Sequence, residues 1–268
     1  MSDKYVSYLE IPSMLGLSKG DIVYLSSDIM GFAWNAKQHG EIFDTNQLID
    51  AFLEKITEEG TLLIPTFNFD FSNKGIYDYK NTRSTTGALG NVALNRSDFR
   101  RTKHPMHSFC VAGKDQGLLC EMTNLNSFGK DGPFEYLRKE NATQIMLGTD
   151  YQRSMTFVHY VETCVNVPYR FYKEFTGEYI DDNGEKSIRT YQYPARYLEY
   201  GSVEEFNKIG AILEKEHVAK AIMINQIPAR IVRLGDSYSI IEKDAKENMC
   251  RNLYSFDIDR QEIWNMIE

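Results

Sequence analysis

The stretch Gln144-Ile-Met-Leu-Gly-Thr-Asp-Tyr-Gln-Arg-Ser-Met-Thr-Phe-Val-His-Tyr-Val-Glu162 decides how the rest of the chain is organised. Its apolar run at residues 145–147 ends at Gly148 and predicts a buried strand. Residues 149–153 are polar and predict a turn, Ser154 is an expected N-cap, and the spacing from Met155 onward predicts a helix. A helix that directly follows a buried strand is typical of an open α/β sheet, which binds its ligands beyond the carboxyl ends of the strands.

Two titratable side chains lie on the predicted helix. His159 and Glu162 are three residues apart, so they share one helix face and can touch. An imidazole beside a carboxylate at this edge of a sheet predicts a catalytic pair. The alternative is a helix histidine that is only hydrogen-bonded.

Composition restricts the class of protein. The chain has 268 residues, 42% of them hydrophobic, which suits one globular domain with a sizeable core. A formal net charge of −8 argues against a nucleic-acid binder. No signal-peptide pattern and no apolar run of about 20 residues is present, so we expect a cytoplasmic protein without a membrane partner. None of the four cysteines has metal-ligand spacing, and they are expected to be reduced: Cys110, Cys120, Cys164 and Cys250.

Strand and helix patterns alternate along the chain. An amphipathic helix is predicted at residues 44–56, and apolar runs predict strands at 21–25, 61–64, 109–112 and 143–147. This alternation predicts an α/β fold with a mostly parallel central sheet flanked by helices.

The amino-acid composition changes after Pro168. Residues 170–179 and 186–193 are rich in aromatic and β-branched residues, and Asn183-Gly184 between them is a strong hairpin signal. We therefore expect one domain over residues 1–268, with a small antiparallel β-hairpin as a β-rich insertion around residues 169–197. Residues 203–214 are expected to form a helix.

Polar side chains follow the first two predicted strands. Ser26 and Ser27 follow the first strand, and Asn68 and Asp70 follow the second, in a segment expected to be a loop as far as Thr82. Side chains at these places can bind a ligand. The alternatives are helix capping for the serines and a solvated loop for the others.

Two further polar segments are candidates for binding. Residues 84–93 predict a helix whose start could meet an anion, although no Walker A sequence is present. His104 and His107 are three residues apart, but Pro105 prevents a regular helix through them and no third ligand is signalled. No metal site is predicted.

Four stretches together resemble the aminoglycoside 3-N-acetyltransferase family, and the resemblance runs from about Gly20 to about Tyr193. They are Gly60-Thr-Leu-Leu-Ile-Pro-Thr-Phe67, Thr86-Gly-Ala-Leu89 with Lys103-His-Pro-Met-His-Ser108, Ser127-Phe-Gly-Lys-Asp-Gly-Pro-Phe134, and Met146-Leu-Gly-Thr-Asp150 with Phe157-Val-His-Tyr-Val-Glu162. The resemblance implies acetyl-CoA-dependent transfer of an acetyl group to a primary amine, without a metal. It also implies a fold unlike that of the GNAT acetyltransferases, whose Gln/Arg-x-x-Gly-x-Gly/Ala signature is missing here.

The resemblance also implies roles for individual residues. His159 falls on the catalytic histidine, and Glu162 falls on the carboxylate one helical turn later. Asn68, Asp70 and His104 are assigned to the acceptor side. Residues at the positions where coenzyme A is held are Ser26, Ser27, Thr85, Thr86, Gly87, His107 and Ser108.

The implied acceptor is a small-molecule amine, either an aminoglycoside or another amino sugar. Aminoglycoside-modifying members tend to be acidic just after the second hairpin strand, whereas residues 191–197 are neutral to basic here. This difference favours the alternative of a nucleotide-linked amino sugar used in polysaccharide biosynthesis. The sequence leaves the oligomeric state open, including a homo-oligomer.

In the implied mechanism, His159 is the general base and Glu162 orients it. An unperturbed imidazole has a pKa near about 6.5, which suits proton abstraction from an ammonium group. Backbone groups near Ser26 and Ser27, or near Thr86, could stabilise the oxyanion. A nucleophile-dependent hydrolase is disfavoured because no Gly-x-Ser-x-Gly elbow is present. A non-catalytic coenzyme A- or sugar-binding protein on the same fold is the remaining rival.

Overall fold

The computed structural model describes residues 5–265, and both strands and helices occur along this range. The strands are β1 (Ile22–Ser27), β2 (Thr61–Pro65), β3 (Ile76–Asp78), β4 (Arg100–Arg101), β5 (Phe109–Gly113), β6 (Thr143–Leu147), β7 (Arg170–Ile180), β8 (Lys186–Arg196), β9 (Val203–Glu204), β10 (Ala219–Ile224), β11 (Ile227–Arg233) and β12 (Tyr254–Ser255). The helices are α1 (Ile11–Met14), α2 (Met30–Gln38), α3 (Thr45–Ile56), α4 (Asp70–Lys74), α5 (Ala88–Ala93), α6 (Gln116–Glu121), α7 (Pro133–Lys139), α8 (Tyr151–Ser154), α9 (Phe157–Val165), α10 (Phe206–Lys215), α11 (Leu234–Glu247) and α12 (Arg260–Asn265). Within residues 5–265, none of the helices has the length and apolar character needed to cross a lipid bilayer.

The main sheet has seven strands in the order β10-β11-β6-β1-β2-β5-β4. In its centre β1 is parallel to both neighbours, with Val23 opposite Leu62 and Leu25 opposite Ile145. All five residues of β2 and all five of β6 are buried, as expected for parallel strands covered on both faces. The predicted α/β class, with a parallel centre to the sheet, is confirmed.

The two strands that flank this parallel centre, β11 and β5, run antiparallel to it. β11 pairs with β6 on one side and β5 pairs with β2 on the other. β10 and β11 form a tight hairpin through Asn225 and Gln226, which both have positive φ angles, 51° and 64°. Two such residues are typical of the turn whose twist matches that of a hairpin.

Helices cover both faces of the sheet. α3 buries Leu48, Ile49 and Phe52, and the Asp44 carboxylate caps it by accepting the Asn46 N–H at 2.7 Å. α9 and α11 lie on the opposite face. The strand residues alternate between the two hydrophobic clusters, so each face of the sheet has its own core.

The predicted hairpin is present as β7 and β8, paired along eleven residues each. The prediction of a loop as far as Thr82 is wrong, since α4 begins at Asp70 and is followed by β3, which pairs parallel to β7. Gly177 permits this pairing because a Cβ there would lie 2.5 Å from the Gly75 carbonyl oxygen. A contact between residues 102 positions apart has no local signal in the sequence.

The segment after β6 differs in detail from its prediction. Ser154 is the last residue of the short helix α8 and not an N-cap; the Asp150 carboxylate caps α8 by accepting the Arg153 N–H at 3.0 Å. α9 then begins at Phe157. The strand–turn–helix order was correct, but the polar turn contains a helical turn of its own.

Residues 203–214 do not form one continuous helix. Val203 and Glu204 form β9, paired antiparallel with β12, and α10 begins only at Phe206. Tertiary pairing therefore overrides the local helical pattern at its amino-terminal end.

Gly148 ends β6 and lets the chain pass close to the segment that follows β1. Its φ angle is +71°, and a Cβ would lie 2.2 Å from the Asp28 carbonyl oxygen. We expect Gly148→Ala to lower the free energy of unfolding by about 3 kcal/mol or more, measured by urea denaturation, because backbone strain of about 1–2 kcal/mol adds to overpacking of about 1–3 kcal/mol. Gly16→Ala is the matched control, since φ is +74° but a Cβ meets no described atom within 4 Å, and only the strain remains. Equal losses in both variants would contradict the steric argument.

Candidate active site

A cavity of about 420 Å³ opens at the carboxyl ends of the parallel strands. β1 lies between β2 and β6, so the strand order reverses on either side of β1. Open α/β sheets bind ligands at such a switch point. The cavity walls come from the ends of β1 and β2, the start of α5 and the segment between β6 and α9. They include Ser26, Ser27, Pro65, Thr86, Thr149 and Thr156.

Hydroxyl groups and apolar side chains share the cavity wall. Ser26 accepts a hydrogen bond from the buried Gln144 amide at 3.3 Å, and the hydroxyls of Thr149 and Ser154 are 3.0 Å apart. Phe67 supplies an apolar surface. The wall can therefore contact both the polar and the aliphatic parts of a long ligand.

The predicted contact between His159 and Glu162 is present. His159 Nδ1 lies 2.8 Å from Glu162 Oε2, as the three-residue spacing on α9 requires. The His159 side chain is 14% exposed, whereas that of Glu162 is fully buried. The pair thus has one partner that solvent or a ligand can reach and one that neither can reach.

Two neighbours hold the Glu162 carboxylate in place. The Arg170 guanidinium lies 2.9 Å from Oε2, and the Tyr169 hydroxyl donates a hydrogen bond to Oε1. Burial alone would raise the pKa of Glu162, but the charge of Arg170 and the hydrogen bonds from His159 and Tyr169 outweigh it and lower that pKa to about 2. Glu162 is therefore ionised at neutral pH.

The ionised carboxylate fixes the tautomer of His159. Two lone pairs would repel each other at 2.8 Å, so the proton between Nδ1 and Oε2 must sit on Nδ1. The Nε2 atom then carries a lone pair, and it has no hydrogen-bond partner among residues 5–265. This nitrogen can accept a proton.

Aromatic side chains connect the pair to the cavity wall. The Phe128 ring centroid lies 5.6 Å from that of His159 and 4.8 Å from that of His107. The His107 ring in turn packs 4.8 Å from Phe67, which lines the cavity. Thr156, also in the wall, precedes His159 by three residues on the same segment.

Four of the seven residues predicted to hold coenzyme A line the cavity: Ser26, Ser27, Thr86 and Gly87. Thr85 is exposed just outside it, where its hydroxyl donates to the Phe67 carbonyl at 3.1 Å. The predicted helix at residues 84–93 starts only at Ala88. Thr86 and Gly87 therefore reach the cavity from the turn that precedes α5.

His107 and Ser108 lie in the interior and do not line the cavity. Ser108 accepts from the Arg101 Nε–H at 2.9 Å and donates to the Thr66 carbonyl at 3.1 Å. His107 Nδ1 lies 3.0 Å from the Ser127 hydroxyl, and burial, with the nearby imidazoles of His104 and His159, lowers the pKa of His107 well below its usual value. Both residues are buried and hold the loop behind the cavity.

The predicted acceptor residues also make internal contacts. The Asn68 amide donates to the Arg83 carbonyl at 2.8 Å and accepts the Asp70 N–H at 2.6 Å, which makes Asn68 a local turn residue. Asp70 forms an ion pair with Lys74 at 3.0 Å. His104 Nδ1 accepts two backbone N–H groups at 3.2 Å, and burial lowers the pKa of His104 to about 3. Of these three residues, only Asp70 is partly exposed.

Three residues that surround the pair were not predicted from the sequence. Arg170 and Tyr169 begin the hairpin, and Tyr254 lies in β12, where its hydroxyl accepts from Arg170 Nη2 at 2.7 Å. The only local signal was a charged residue at the start of an aromatic strand. Among residues 5–265, no group of three or more His, Cys, Asp or Glu side chains has the arrangement of a metal site.

Solved structures of acetyltransferases share this fold. The structure of AAC-IIIb binary with CoASH gives a TM-score of 0.73 at 14% identity, covering 91% of this chain and 98% of that chain. The room-temperature neutron/X-ray structure of sisomicin-bound AAC-VIa gives a TM-score of 0.76 at 16% identity, covering 91% of this chain and 99% of that chain. These likenesses support the architecture.

Sequence comparison gives the family. The SPbeta prophage-derived aminoglycoside N(3')-acetyltransferase-like protein YokD of Bacillus subtilis (strain 168) is 25% identical over 262 residues, covering 89% of this chain and 91% of the relative. The family model of the aminoglycoside 3-N-acetyltransferases matches residues 34–244. The chain therefore belongs to the aminoglycoside 3-N-acetyltransferase family and is an N-acetyltransferase.

Proposed function

We propose that this protein transfers an acetyl group from acetyl-CoA to a primary amine of an aminoglycoside or another amino sugar, with His159 as general base. One observation carries the proposal: His159 donates through Nδ1 to a buried, ionised carboxylate at 2.8 Å, which leaves Nε2 free to accept a proton. A general base needs such a free nitrogen on a side chain that a ligand can reach, and the His159 side chain is partly exposed.

The cavity beside the parallel strands is the proposed site for acetyl-CoA. Its volume of about 420 Å³ suits part of a long ligand, and hydroxyls from Ser26, Ser27 and Thr86 can meet the polar groups of the pantetheine arm. Bound there, acetyl-CoA would supply the acetyl group as a thioester. The solved relative that contains CoASH shares the fold, which supports the same use here.

The proposed chemistry assigns a separate task to each residue of the pair. His159 Nε2 accepts the proton that the amine loses as it attacks, and it can return that proton to the departing thiolate. Glu162 stabilises the imidazolium that exists between these events, because its charge is already in place and requires no reorganisation. No covalent intermediate on the protein is needed.

The remaining predicted residues act through the loops that carry them. Thr85 fixes the turn before α5, and His107 and Ser108 hold the loop behind the aromatic wall. Asp70 is the one predicted acceptor residue for which we keep a direct contact with substrate, since Asn68 and His104 are buried. The chain in this proposal acts as a single domain, whose hairpin insertion brings Arg170 to the site.

The acceptor belongs to one of two classes. Polycationic aminoglycosides would need unpaired carboxylates near His159, and the solved relative AAC-VIa binds sisomicin. Here Glu162 is paired with Arg170, and Glu204, which neighbours the same Tyr254, lies 3.4 Å from Arg196. This pairing favours the second class, an acceptor with fewer positive charges such as a nucleotide-linked amino sugar.

An assay of thiol release from acetyl-CoA tests the proposal and separates the two classes. We expect release to depend on an amine, with sisomicin and UDP-glucosamine as the probes of each class. Release with sisomicin alone would assign the aminoglycoside class, and release with UDP-glucosamine alone would assign the other. No release with any of a broad panel of amines would contradict catalysis and favour a binding protein on the same fold.

Substitution in the cavity wall tests the acetyl-CoA site. Ala88 is exposed at the start of α5 and lines the cavity, so Ala88→Phe should raise the KM for acetyl-CoA about tenfold by occupying its space, with kcat changed much less. Michaelis constants for both substrates provide the measurement. Ser13→Phe, at an exposed α1 position outside this cavity, is the control. An increase confined to the acceptor KM would place acetyl-CoA elsewhere.

A further inference from the structure

Arg170 is a buried cation that lies against both members of the catalytic pair. Its Nη2 atom is 2.9 Å from Glu162 Oε2 and 3.0 Å from His159 Nδ1. The same atom donates to the Tyr254 hydroxyl at 2.7 Å, and Nη1 donates to the Pro194 carbonyl at 2.7 Å. Only 5% of the side chain is exposed. The guanidinium is therefore held from two directions and cannot move away from the pair.

We propose that Arg170 is a positioning residue: it keeps the Glu162 carboxylate ionised and thereby keeps the ring proton of His159 on Nδ1. The inference rests on the proposed role of His159 as general base, and it assigns to Arg170 control over which ring nitrogen can act. Arg170 itself does not contact the reacting atoms.

The surroundings of Glu162 show why a cation is needed there. The side chain is fully buried, and Arg170 is the only guanidinium or ammonium group within 4 Å of it in the part of the chain that the structure describes. The titratable and charged groups that face it from the elements packed around it are His159 on α9, Tyr169 and Arg170 at β7, Tyr193 on β8, Cys250 before β12 and Tyr254 on β12. Without the guanidinium, a buried carboxylate takes up a proton at neutral pH.

Protonation of Glu162 would reverse the hydrogen bond to His159. A neutral carboxylic acid donates its O–H to Nδ1, so the ring proton moves to Nε2. Nε2 would then have no lone pair for the proton of the amine. Loss of Arg170 should therefore disable the base without removing either member of the pair.

Two variants test this on the whole protein. Arg170→Met keeps the length of the side chain and removes its charge, and we expect kcat at pH 7 to fall by about 10²–10⁴-fold, the range that a general base contributes, with the KM for acetyl-CoA within about threefold of wild type. The loss should shrink as the pH rises, because Glu162 ionises again above its new pKa and Nδ1 regains its proton. Arg170→Lys keeps the charge, so it should recover at least about tenfold of the loss.

Nitrogen-15 NMR of histidine-labelled protein reports which ring nitrogen of His159 is protonated. The measurement does not require the protein to be catalytically active. We expect the wild type to show His159 protonated at Nδ1 and Arg170→Met to show it protonated at Nε2 at neutral pH. An Nδ1–H signal in Arg170→Met would overturn the inference, whatever the activity. Because the signal needs no catalysis, this failure is distinguishable from a failure of the proposed function, which would appear as full activity in His159→Ala.

A double variant and chemical rescue complete the test. In a Glu162→Gln background no carboxylate remains to ionise, so adding Arg170→Met should change kcat less than about threefold. A cavity of about 180 Å³ borders both Glu162 and Arg170, so methylguanidinium should restore activity to Arg170→Ala. If Arg170→Met does not fold, Arg170→Lys and the rescued Arg170→Ala still decide the question. A pH-independent loss without rescue would show that Arg170 acts only through packing.

Discussion

Replacing His159 with alanine is expected to lower kcat by two to four orders of magnitude, which is the usual contribution of a general base. The amine acceptor is largely protonated at neutral pH, and Nε2 of His159 is the free proton acceptor on the pair. The fold should survive, because the side chain is partly exposed and its removal leaves the Glu162–Arg170 ion pair intact. Thiol release measures the rate, and circular dichroism checks the fold.

A second histidine provides the control for this experiment. His39 is exposed at the end of α2, and its Nδ1 atom lies 2.9 Å from the Asn35 carbonyl, so His39→Ala should leave kcat within about twofold of wild type. A wild-type rate in His159→Ala would remove this residue from the mechanism. An equal loss in both variants would indicate a general effect on the protein.

Glu162→Gln is expected to damage both activity and stability. The amide cannot balance the charge of Arg170, and breaking a buried ion pair on one side costs about 3–5 kcal/mol. Urea denaturation should show a loss of that size, together with a kcat at least about 100-fold below wild type. Glu59→Gln is the control, since it breaks an exposed pair with Lys19 and should cost about 1 kcal/mol or less.

The pH dependence of stability gives an independent measurement of the same carboxylate. Its pKa in the folded protein is lowered to about 2, below the usual value of about 4.3 for the unfolded chain. The stabilisation it gives is therefore fully present above about pH 4.3 and is lost as the pH falls toward 2. Wild type should lose stability across this range, and Glu162→Gln should lose less. Parallel curves for the two proteins would contradict an ionised Glu162.

Local patterns in the sequence predicted most of the architecture. Capping by Asp44 and the apolar stripe of α3 are encoded within a dozen residues, and the His159–Glu162 contact follows from the helical repeat alone. The hairpin followed from Asn183-Gly184 in the same way. Each of these depends on residues that are close in the chain, where propensity and spacing are informative.

Contacts between distant segments could not be predicted from such patterns. β3 was assigned to a loop because its partner β7 lies about 100 residues away. Arg170 and Tyr254 converge on Glu162 through the positions of the hairpin and of β12, which no spacing rule provides. His104 and Ser108 carry polar side-chain groups, but in the fold these groups contact backbone. His104 accepts from its own loop, and Ser108 donates to the Thr66 carbonyl after β2.

The hydrogen bond from Arg170 to Tyr254 affects when the nascent chain on the ribosome can become active. The two residues are 84 positions apart, and Tyr254 lies beyond residues 34–244, the part that matches the family model. A ribosome that has released α9 and the hairpin has therefore not yet released everything that surrounds the guanidinium. A nascent chain should stay inactive until β12 has emerged and docked.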